Sequence, residues 1–114
     1  MLNPHIDVSV FQELQDTAGA EFVVELLDAL MEEAPLMLAS LRSSLASGQD
    51  EVFRRAAHSL KSNSESFGAM KLAGMARELE LGGIASVPTP EAALGALEAE
   101  YAQAVTALKE LSRG

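Results

Sequence analysis

The chain has 114 residues, a formal net charge of −9 and no cysteine. That length predicts one domain, able to bury roughly two thirds of its unfolded surface around one apolar core without covalent staples. The missing cysteines exclude disulfides, thiolate metal sites and cysteine nucleophiles, and an acidic chain with no Trp, one Tyr and four Phe lacks the basic surface and aromatic platforms of a nucleic-acid binder.

Ala, Leu and Glu abound and β-branched residues are few, which favours helix over strand. Breaks at 17–19, 47–50 and 82–90, with a further one at Gly68, delimit five helical segments. The first is short, near Asp7 to Asp16, with Asp7 placed as N-cap. The second runs from about Ala20 to Ala46 and carries a helical stripe from Phe22 and Val23 through Leu30, Met37 and Leu41 to Leu45. Pro35 lies inside it and predicts a kink, because it removes one backbone donor. The third covers about Glu51 to Ser66, with Asp50 as the expected N-cap. The fourth spans about Ala69 to Leu81 and stops at Gly82-Gly83. The fifth starts after Thr89 with Pro90 at its first position, and its stripe is Leu94, Leu97, Tyr101, Ala104, Val105, Leu108 and Leu111. Long amphipathic helices joined by short loops predict an all-α fold: an antiparallel up-and-down four-helix bundle with a short additional N-terminal helix.

The third segment is the informative one. At about 100° per residue, Phe53, Ala56, Ala57, Leu60 and Phe67 fall on the core side and His58 nearly opposite. Arg54, Lys61, Ser62 and Glu65 lie beside His58, with Arg55 and Glu51 at the margins. Residues 51–71 hold four cations against two carboxylates, a net of +2 on a chain of −9, so the remainder carries −11. A cationic patch around an exposed mid-helix histidine favours an anion there, such as a phosphoryl group or a partner's carboxylates. Taken alone, an exposed histidine among mixed charges is an ordinary solvated face.

Residues 57–69 read Ala-His-Ser-Leu-Lys-Ser-Asn-Ser-Glu-Ser-Phe-Gly-Ala. This resembles the phosphoacceptor motif of histidine-containing phosphotransfer (HPt) domains: His58, Lys three residues on at 61, a small residue next, then Gly68 and Ala69. The likeness extends over the whole chain, through the long second helix with its Glu-Ala-Pro step, and implies one HPt-like domain over 1–114. Ser62 stands where many members have Gly; a small side chain still avoids crowding a phosphoryl group.

The resemblance implies a phosphocarrier rather than an enzyme with turnover of its own. His58 would take a phosphoryl group through Nε2 from the aspartyl phosphate of a receiver domain and pass it to another receiver. A neutral imidazole is the nucleophile this needs. Lys61 would balance the phosphoryl charge and Ser62 would orient the ring or the phosphate. The partner surface would include apolar contacts from the second and third helices, with Arg54, Arg55, Lys61, Glu65 and Gly68 around them, and Arg54 ranks above Arg55 because it lies nearer His58. No cofactor is expected on this chain; Mg²⁺ is expected on the receiver. The interface should be modest and wet, and the protein a monomer.

Two other readings remain. A non-phosphorylated docking module would bind a receiver or another signalling partner through the same face, and His58→Gln would separate it from a carrier. A di-metal bundle needs Glu three residues before its histidines, whereas Leu2 precedes His5 and Arg55 precedes His58. The remaining features read as structural: His5 as solvated or weakly packed, Met31, Met37, Met70 and Met75 as core, Glu32-Glu33 and the acidic fifth helix as solvated faces. No run reaches the ~18 apolar residues of a membrane span and no signal peptide is legible, so the expected location is the cytoplasm. The opening Met and the short tail suggest a free-standing protein.

Overall fold

The computed structural model describes residues 3–113. Helix α1 is Val8–Ala18, α2 Ala20–Ser47, α3 Asp50–Ser66, α4 Met70–Gly82 and α5 Pro90–Arg113, with a 3-10 turn at Ile84–Ser86. The described residues contain no strand. Helix α2 has 28 residues, which at 1.5 Å each give about 42 Å, the length of the molecule's long axis, 42 Å. It runs unbroken through Pro35, which lies on the exposed side.

Short connections turn α2 back into α3 and α3 back into α4, and α5 closes the ring against both α4 and α2. Helix α1 lies outside this ring, against α2 and α3. The expected four-helix bundle with an N-terminal addition is what forms. Its core is one cluster in which the stripes converge: Phe11 of α1, Leu27 and Leu41 of α2, Phe53 and Leu60 of α3, Leu72 of α4, Leu97 and Leu108 of α5. Ser44 and Ser64 are buried among them because each hydroxyl donates to a carbonyl four residues back, Ser40 and Leu60, at 2.6 Å.

The caps explain the boundaries. Asp7 caps α1 as expected, accepting from the Ser9 and Val10 amides. Asp50 does not cap α3: Gln49 holds that position and Asp50 is the first helical residue, its carboxylate committed to the Ile84 amide and to Arg54. Two apolar residues expected in the core are half-exposed instead, Phe22 near the start of α2 and Met70 at the start of α4. Both sit in a first turn, where the bundle has not yet closed around the helix.

The N-terminal segment departs most from expectation. His5 is neither solvated nor loosely packed: its Nδ1 lies 2.8 Å from Oε2 of Glu100, a carboxylate only 5% exposed on α5. Lys71 approaches the same carboxylate at 3.5 Å. Glu100 is therefore not part of a solvated acidic face, and a buried carboxylate of this kind persists because it is paired.

Candidate functional site

Helix α3 presents its core face, Phe53, Ala56, Ala57 and Leu60, to the bundle and turns His58 outward. The His58 side chain is 55% exposed. Its Nδ1 lies 2.7 Å from Oε2 of Glu80 on α4. Lys61, one turn further along α3, places its Nζ 3.1 Å from Oε1 of the same carboxylate. The angle at that contact is poor for a directed hydrogen bond, and Oε1 is shielded from solvent with no other donor, so Lys61 serves it chiefly as a charge.

Glu80 thus bridges the histidine and the lysine. Partial burial pushes its carboxyl up, but the close Lys61 ammonium and the His58 hydrogen bond together outweigh burial and hold it below the ordinary carboxylate value. An ionised carboxylate only accepts, so the ring must offer a proton at Nδ1. In the neutral ring the lone pair then sits on Nε2, which has no protein partner among the described residues on this solvent-exposed side chain.

The other residues of the expected site are dispersed differently. Ser62 is exposed, and no hydrogen bond joins its hydroxyl to the imidazole; the ring's hydrogen bond goes to Glu80. Glu65 is exposed two turns from His58. Arg55 is exposed at the edge of an apolar groove between α2 and α3 lined by Leu36, Met37, Val52 and Ala56. Leu36 there is 71% exposed, the most open large apolar side chain of the described residues. Arg54 points the other way, and its guanidinium donates to main-chain carbonyls at the end of α4.

Gly68 lies at the α3–α4 turn under the N-terminal segment. It is buried, its carbonyl accepts the Asp7 amide at 2.7 Å, and its φ of +79° is open to glycine alone without strain. A Cβ there would lie 2.6 Å from the Asp7 carbonyl oxygen. The glycine of the motif is thus explained by the close seating of the N-terminal segment on the α3–α4 turn.

The model of the Hpt domain family matches residues 25–110, most of the bundle and all of the His58–Lys61–Glu80 cluster. The chain belongs to the Hpt domain family. Among solved structures, it is similar to histidine-containing phosphotransfer protein B (HptB) from Pseudomonas aeruginosa, at 31% identity with a TM-score of 0.86, covering 98% of this chain and 97% of that one. No curated protein matches the sequence. An Hpt domain is a phosphocarrier that meets receiver domains. Among the described residues no helix is long and apolar enough to cross a membrane.

Sequence reasoning missed Glu80. It lies 22 residues from His58, on another helix, in a run that also contains Glu78. Only the register of the α3–α4 hairpin selects one of the two.

Proposed function

We propose that His58 carries the phosphoryl group in this chain's histidine phosphotransfer role within a phosphorelay, exchanging it with receiver-domain aspartates. The carrying observation is the Glu80 carboxylate at 2.7 Å from Nδ1, which leaves Nε2 as the outward lone pair. His5, the second histidine, is mostly buried against Glu100 and has no such opening.

In the transfer, the Nε2 lone pair attacks phosphorus in line as the bond from phosphorus to the aspartyl oxygen breaks and the aspartate leaves as carboxylate. No proton is lost from Nε2, so positive charge develops on the ring, next to Glu80. A negative group already fixed there stabilises that charge without reorganising. Phosphoryl transfer otherwise requires positioning and neutralisation of the equatorial oxygens. On this side Lys61, three residues along α3 and already at the Glu80 carboxylate, is the cation assigned to that, since the Arg54 guanidinium is taken up by Asp50 and the α4 carbonyls; Mg²⁺ belongs to the receiver, and the chain has no turnover without one. The receiver docks over the α2–α3 groove, with Leu36 and Val52 as apolar contacts and Arg55 at the rim. A monomer suits this arrangement, because the stripes of all the long helices are spent within one bundle.

The test is phosphate capture. Purified protein is mixed with a phosphorylated receiver and Mg²⁺, and acid-labile, base-stable phosphate is followed on wild type and on His58→Gln. Label on the wild type alone is the expected result. Label that survives the substitution refutes the assignment; binding without label across a panel of receivers would make the domain a docking module.

A further inference from the structure

Asp50, Arg54 and His58 follow one another at four-residue steps and share a face of α3, which Lys61 continues. That face lies against the C-terminal end of α4. The Asp50 carboxylate accepts the Ile84 amide at 2.9 Å through one oxygen and the Arg54 Nε at 2.8 Å through the other. The remaining guanidinium nitrogens of Arg54 donate to the carbonyls of Glu80 at 3.0 Å, Leu81 at 3.0 Å and Gly82 at 3.4 Å. The His58–Glu80 contact comes next along the same face.

Those three carbonyls are among the last of their helix, where no intrahelical donor exists. Helix α4 brings no basic residue to its own last turn, and beyond the Gly83 amide on the Leu79 carbonyl nothing of its own closes it. Arg54 supplies both donors and a positive charge at the negative end of the helix dipole. Gly83 lets this clasp close, since a Cβ at that position, with φ of +67°, would collide with both the Arg54 guanidinium and the Asp50 carboxylate.

The geometry points to Arg54 as a positioning residue for phosphoryl transfer: steadied by Asp50, it fixes the last turn of α4 so that the Glu80 carboxylate meets His58 Nδ1 and leaves Nε2 free. This rests on the reading of His58 as phosphoacceptor. Arg54 touches neither the ring nor the attacking nitrogen, and its donors are spent on main-chain oxygens rather than offered to a partner.

Two readouts separate this role from a merely structural one: the ring ¹⁵N resonances of His58, which report where the proton sits, and the single-turnover rate of phosphoryl uptake from a phosphorylated receiver. Both are measured on wild type, Arg54→Ala, Arg54→Lys, Glu80→Ala and the Arg54→Ala/Glu80→Ala double variant, with thermal unfolding confirming that each is folded. Arg54→Ala should move the ring towards a mixed tautomer and slow uptake roughly three- to tenfold, less than the 10–100-fold that losing the direct hydrogen-bond partner of a metal-bound histidine costs, taken here as the scale for a direct partner. Lysine keeps the charge but cannot fork across three carbonyls, so it should recover only part of the loss. In the Glu80→Ala background, Arg54→Ala should change neither readout.

Three results overturn the inference. One is wild-type ring signals and rate in Arg54→Ala. Another is full recovery by lysine, which would make charge alone sufficient. The third is an Arg54→Ala effect that persists without Glu80, which would put Arg54 in contact with the receiver. A wild type that takes no phosphate would instead sink the phosphoacceptor reading, and the ring resonances would still judge the clasp.

Discussion

Replacing Gly68 by alanine should destabilise the protein by roughly 2–4 kcal/mol without slowing phosphoryl transfer per folded molecule. The backbone at Gly68 has φ of +79°, a conformation that costs an L-residue about 1–2 kcal/mol. The added Cβ would meet the Asp7 carbonyl oxygen at 2.6 Å and the Val10 Cβ at 3.1 Å. The first is main chain and cannot swing away, so the start of α1 must shift. That shift strains the Asp7 amide to Gly68 carbonyl bond of 2.7 Å, worth about 1 kcal/mol net, and disturbs the Asp7 cap, worth about another 1 kcal/mol. Equilibrium urea unfolding reads the loss: with a slope of about 1.5–2 kcal/mol/M, the midpoint should fall by about 1–2.7 M. Gly74 is the control, since it lies exposed in α4 with open space where a methyl group would go; Gly74→Ala should stabilise by about 0.8–1 kcal/mol. Gly68 is ten residues, about 15 Å, along from His58, so uptake should stay at the wild-type rate. An unmoved midpoint would refute the strain argument. Slowed uptake at unchanged stability would return Gly68 to the partner surface.

Glu80→Ala should slow phosphoryl uptake roughly tenfold. Because its carboxyl is held below the ordinary 4.5, Glu80 should keep its charge down to a lower pH than an exposed glutamate, and the side-chain carboxyl ¹³C shift followed through acid pH reads this. Asp50 is likewise held below its ordinary 3.8, first by the Ile84 amide and then by Arg54. Its contribution to stability is complete at neutral pH and lost as pH falls past 3.8 and through the lowered value. Asp50→Asn should therefore reduce the melting temperature at pH 7 and flatten its decline in acid. His5→Ala should cost about 1–3 kcal/mol in urea unfolding, since the buried Glu100 carboxylate would keep only Lys71; a neutral result would mean that water replaces the imidazole.

The bundle is legible in the sequence because helical periodicity and the breaks between helices are local properties, and the core is what those stripes bury. His58 and Lys61 are legible because both lie on one turn of one helix, where a wheel gives their direction. What escapes depends on groups a sequence does not display. The wheel makes Arg54 a partner contact from its angle alone, but a side chain of that length follows the nearest unpaired acceptors, and these are main-chain carbonyls of another helix. Glu80 and Glu100 look like any other glutamate of an acidic chain until the hairpin register and the path of the N-terminal segment bring a histidine to each. Gly68 stands out as part of a motif, yet its reason lies in Asp7, 61 positions upstream in the same chain.

The charge arrangement around His58 bears on why such a site can give its phosphate back. In the free protein Lys61 is already matched by Glu80 at 3.1 Å, and the ring proton at Nδ1 is matched by the same carboxylate. A phosphoryl group on Nε2 brings close to two negative charges at neutral pH. Lys61 can turn towards it only by leaving Glu80, whose Oε1 has no other donor among the described residues. Whatever the phosphorylated state gains from the lysine is therefore offset by the ion pair it gives up, while Glu80 adds a negative charge behind the ring. A pocket with uncommitted cations would trap the group. On the proposed role of His58, the shared cation and the solvent-open ring would leave the phosphoryl group better neutralised in a receiver's metal site than on the carrier, so the partner would set the direction of transfer.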